Sequence, residues 1–145
     1  MKLSATLVAV AAVSLAALSP ALAQDNPLPE GFTTEPIIKS TTNRDGGPIT
    51  LPTGTTEITS VIGTLEPGGN TALHQHPVPV MSYVLDGEVE VRTEGGEPQR
   101  YTAGEAWIEA QGTLHQAFNV GDTPARLLIV VIGEEGKPFT ITPES

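Results

Sequence analysis

The sequence predicts an all-β protein, a sandwich or barrel of short strands. Three observations support this. Runs rich in Val, Ile and Thr recur at close spacing, 15 glycines and 13 prolines punctuate the chain, and no amphipathic helical pattern follows the first two dozen residues. With six aromatic residues and no cysteine, the core must be aliphatic and hold without disulfides.

The first 23 residues read as a secretory signal. Lys2 opens them, an apolar run follows from Leu3 to Leu18, and Ala21-Leu22-Ala23 is an A-x-A cleavage site. Export to a periplasmic or secreted location is therefore expected, with no membrane contact after cleavage. Residues 24–47 are expected to form an N-terminal arm and first strand. Residues 48–135 form the barrel domain and residues 136–145 a C-terminal tail.

Pro36–Thr42 in the arm and Pro48–Leu51 at the start of the barrel domain flank the turn signal Asp45-Gly46-Gly47. Thr56–Leu65 alternates and is β-branched, and Glu66-Pro67-Gly68-Gly69 ends it. Ala72–His76 is short. Val80–Leu85 and Glu88–Thr93 flank Asp86-Gly87, which predicts a two-residue hairpin. That register pairs Val84 with Val89 and Ser82 with Val91, with Val80 on the same buried face. Gln99–Thr102, Ala106–Ala110, Leu114–Val120 and Arg126–Ile132 complete the strands.

The balance of 17 acidic against 7 basic residues, a net charge of −10, repels phosphate and argues against nucleic acid as a partner. It disfavours anionic lipid for the same reason. A small molecule is the expected ligand.

All three histidines of the chain, His74, His76 and His115, fall into two short motifs. In H-x-H on a strand both imidazoles share one face. His115, Ala117 and Asn119 share one face of a later strand. Neutral imidazole is a common metal ligand, and it suits Zn, Cu, Fe and Ni alike.

The spacing Gly68-x5-His74-x-His76-x3-Val80-x6-Gly87, followed by Gly104-x5-Ala110-x-Gly112-x2-His115-x3-Asn119, resembles the two motifs of a small single-domain cupin. The resemblance covers about residues 60 to 132. It departs from the pattern at Val80, where glutamate is usual, and at Ala110, where proline is usual. It implies a cupin-type double-stranded β-helix, a jelly-roll barrel. It further implies a metal centre of His74, His76 and His115 holding one divalent transition metal (Fe, Zn, Mn, Ni or Cu). Val80, Ser82, Ala117 and Asn119 are expected to line the pocket, with Asn119 in a mainly structural role.

Without a carboxylate ligand, three neutral imidazoles leave the cation's charge uncompensated and its site electrophilic. Glu66, Glu88, Glu90, Glu105 and Glu109 are expected mostly at turns or on the outer face, which leaves acid–base work to metal-bound hydroxide or one misplaced carboxylate, so no catalytic residue is assigned. Three readings follow: a metal-binding exported cupin with a small-molecule pocket, a metal-dependent dioxygenase or isomerase acting on a small oxygenated substrate, and a metal-free structural or ligand-binding cupin. The resemblance also suggests a homodimer.

Overall fold

The computed structural model describes residues 30–143. The expected signal segment 1–23, the first six residues of the expected arm (24–29), and the last two residues lie outside them. Every strand falls in the compact unit Glu35–Ser145. The strands are β1 (Thr56–Leu65), β2 (Val80–Asp86), β3 (Glu88–Thr93), β4 (Gln99–Thr102), β5 (Ala106–Ile108), β6 (His115–Asn119) and β7 (Ala125–Glu134). They form two antiparallel sheets, β1-β7-β2-β5 and β4-β3-β6. The chain passes between the sheets after β2, β4, β5 and β6, which is the winding of a jelly roll. Among the described residues, no helix is long and apolar enough to cross a membrane.

Alternation places the core. Val80, Ser82 and Val84 of β2, Val89 and Val91 of β3, Ala117 of β6, and Ala125, Leu127 and Val131 of β7 point inward and are buried. Trp107 closes the space between the sheets, stacked on Tyr101 with ring centroids 4.0 Å apart. Phe118, whose parity on β6 is opposite to Ala117, lies outside under the Arg92 guanidinium at 4.1 Å.

The expected hairpin does not form. β2 pairs with β5 and β7, whereas β3 pairs with β4 and β6. Gly87 is a corner that carries the chain from one sheet to the other, with φ at +81°. A Cβ at Gly87 would stand 2.8 Å from the Ala125 Cα and 3.0 Å from the Pro124 carbonyl oxygen. Hairpin and corner place the same side chains inward, so alternation alone cannot separate them.

Three other expected runs, Pro36–Thr42, Pro48–Leu51 and Ala72–His76, are also reduced. Between Pro36 and Leu51 only one bridge forms, Thr42 to Pro48. That segment is held mainly by anchors: Arg44 N–H donates to the Ile108 carbonyl at 2.8 Å, and Thr50 exchanges hydrogen bonds with the Gln111 amide. The stretch from Ala72 to His76 is no regular strand; bridges at His74, Gln75 and His76 tie it to three different segments.

Candidate metal centre

His74 and His115 exchange both backbone hydrogen bonds, at 3.0 and 2.8 Å, which sets them directly opposite each other. Gln75 does the same with Ile141 on the other side, at 2.9 Å each way. His76, with the parity of His74, then faces the barrel interior. The three rings gather with centroids 4.5, 4.8 and 5.3 Å apart. One nitrogen from each lies within 4.8 Å of the others.

The hydrogen bonds of these rings decide what the group can do. His74 Nδ1–H donates to the Ala72 carbonyl at 2.7 Å, His76 Nδ1–H to the Phe139 carbonyl at 2.7 Å, and His115 Nδ1–H to the Thr113 carbonyl at 2.8 Å. A carbonyl only accepts, so each neutral ring is held with its proton on Nδ1 and its lone pair on Nε2. The Nε2 atom of His115 is buried and has no hydrogen-bond partner. Burial holds the His76 imidazole below its ordinary pKa, and pushes that of His115 down to about 4. Both rings are thus neutral, the form that binds metal.

A cavity of about 150 Å³ opens beside the rings. Val80, Ser82 and Ala117 line it, together with Val61, Leu127 and Ile129. Asn119 does not. Its buried amide donates to the carbonyls of Leu65 and Thr123, both at 2.8 Å, and its oxygen accepts from Gly121 N–H at 2.9 Å. It clamps the end of β1 to the turn before β7.

Glu109 corrects the expectation that the acidic residues stay outside. It is 6% exposed and lines the cavity. Its Oε1 accepts from the Ser82 hydroxyl at 3.2 Å. Its Oε2 lies 3.5 Å from His115 Nε2 and 3.7 Å from Arg44 Nε, with no hydrogen-bond partner. Burial raises the Glu109 pKa, against the pull of the Arg44 guanidinium and then of His76. The parity of Trp107, a large apolar residue on the expected strand Ala106–Ala110, could have revealed Glu109, since residues two apart on a strand share a face. Arg44 carries no such signal, being a loop residue whose side chain is nonetheless 2% exposed. Nor does the segment Phe139–Ile141, which was expected as tail but lays the Phe139 carbonyl over His76.

Among known proteins, the family model described as "Cupin domain" matches residues 61–131. Solved structures share the fold. An uncharacterized conserved protein with a double-stranded β-helix domain from Klebsiella pneumoniae subsp. pneumoniae MGH 78578 is 26% identical, with a TM-score of 0.52, over 68% of this chain and 78% of that one. DMSP lyase DddQ from Ruegeria pomeroyi DSS-3 is 24% identical with a TM-score of 0.52, over 67% of this chain. Lactobacillus farciminis oxalate decarboxylase is 24% identical with a TM-score of 0.51, over 59% of this chain. The chain spans 46% of the length of the lyase and 26% of the decarboxylase, and at this identity the likeness speaks to the fold alone. No curated protein matches the sequence.

Proposed function

The chain carries a cupin domain, and from that premise we propose that it is an exported metal-binding protein whose His74, His76 and His115 hold one divalent transition metal beside a small-molecule pocket. One observation carries this reading: all three imidazoles donate from Nδ1 to a backbone carbonyl and leave Nε2 free within one cluster. A backbone acceptor that fixes the tautomer is the usual support of a metal-binding histidine. Three rings filling a barrel for packing alone would instead need partners for Nε2, and His115 has none.

The cation would supply Lewis acidity and open coordination positions. The protein's part is to select by size. A water molecule's share of the liquid is about 30 Å³, so a cavity of about 150 Å³ suits a ligand of a few heavy atoms. Val61, Val80, Leu127 and Ile129 give that ligand an apolar wall.

A second reading, a metal-dependent enzyme acting on a small oxygenated substrate, gains from Glu109. Its unpaired Oε2 in the pocket is a group able to take or return a proton there. Export is supported by the A-x-A site after the apolar run of the first 23 residues.

Titrating Zn2+ into chelator-treated protein tests the metal reading. Saturable uptake that H74A/H76A abolishes, with the far-ultraviolet spectrum unchanged, is the expected result. Equal uptake by wild type and variant would overturn it.

A further inference from the structure

Val80 occupies the position at which the resemblance places a glutamate, and a buried carboxylate stands directly across the sheet from it. β2 and β5 run antiparallel with Ser82 opposite Trp107 and Met81 opposite Ile108. The next step of that register sets Val80 opposite Glu109, and Glu109 N–H donates to the Val80 carbonyl at 2.8 Å. Directly opposed residues share a face, with Cβ atoms about 5 Å apart. We propose that Glu109 supplies the negative charge of the metal centre, delivered from the strand facing the one that lacks it. This rests on the metal reading above.

Three features support the assignment. The first is that Oε2, with no hydrogen-bond partner, lies 3.5 Å from the equally unpartnered Nε2 of His115. Two buried lone pairs facing each other are costly unless something positive lies between them. A cation at the imidazoles satisfies both. The second is Arg44, whose buried guanidinium stands 3.7 Å from Oε2 on the other side and is held by the Gln99 side chain at 3.1 Å. It makes a buried carboxylate tenable, yet its Nε does not reach hydrogen-bond distance. The third is charge: one carboxylate lowers the net charge of a divalent centre by one unit, whichever strand delivers it. The competing account, an Arg44–Glu109 pair that only braces the barrel, predicts no change in metal affinity when Glu109 is neutralised.

The experiment is a competition titration of Zn2+ against a chromophoric chelator, on the full chain. E109Q is expected to bind Zn2+ at least about tenfold more weakly than wild type. V80E/E109Q, which moves the carboxylate to the opposite strand, is expected to recover most of that loss. E109Q leaves the buried Arg44 side chain with only the Asp45 carboxylate, 3.9 Å away, as counter-charge and could fail to fold. R44M/E109Q, which replaces both charges, keeps the test open and is expected to bind more weakly than wild type. Wild-type affinity in folded E109Q or folded R44M/E109Q would overturn the inference while leaving the three-histidine centre standing. Absence of Zn2+ uptake by wild-type protein would overturn both.

Discussion

At the scale of single residues, the site depends on burial acting in opposite directions on neighbouring groups. Burial lowers the pKa of His115 to about 4 and also lowers that of His76, so both stay neutral on folding. Their contribution to stability is complete above the unfolded value of about 6.5 and is lost as pH falls toward 4. Burial raises the Glu109 pKa, so its contribution is present below the unfolded value of about 4.3 and is lost as pH rises. Between those pH values the two effects offset each other. Metal-free E109Q, relieved of the opposing group, is therefore expected to lose stability more steeply than wild type between pH 6.5 and 4. Urea unfolding at stepped pH would show it, and parallel curves for the two proteins would contradict it. The histidines were legible in the sequence because motif spacing and strand parity both survive in the fold. Glu109 was not read, although Trp107 two residues earlier carried the signal. Arg44 could not be read, because nothing local marks a loop cation as buried.

At the scale of elements, the strands were legible and their partners less so. The predicted Thr56–Leu65, Val80–Leu85, Glu88–Thr93 and Gln99–Thr102 match β1 to β4 within one residue. Asp86-Gly87 was misread because local sequence shows a turn and which side chains point inward, but not which strand lies beside which. Pairing is decided by β5, β6 and β7, which are distant in sequence. Gly87 is therefore a corner glycine under two constraints, positive φ and contact with Ala125. G87A is expected to cost about 1–3 kcal/mol, measured by equilibrium denaturation. A loss below a few tenths of a kcal/mol would show that the corner tolerates a side chain. The short segments around the site follow a similar rule. His74–His76 and Phe139–Ile141 are ordered by single bridges to each other, to β6 and to Gln111, so no strand pattern announces them.

At the scale of the whole molecule, the four-stranded sheet is apolar on both faces. Its outer face carries Ile58 and Ile62, 70% and 51% exposed, beside Leu128 and Ile132 in register. Contiguous exposed apolar surface of this kind marks an interaction face. A homodimer formed through it is the expected state, and I58E/I62E is expected to be monomeric by sedimentation; a monomeric wild type would contradict this. The three-histidine centre underlies both proposed functions of the molecule. It is tested most directly by elemental analysis of untagged protein isolated without chelators, with H74A/H76A alongside. Close to one divalent transition metal ion per chain, absent from the variant, is the expected result. A wild-type protein that carries no metal and takes up none on addition would contradict it.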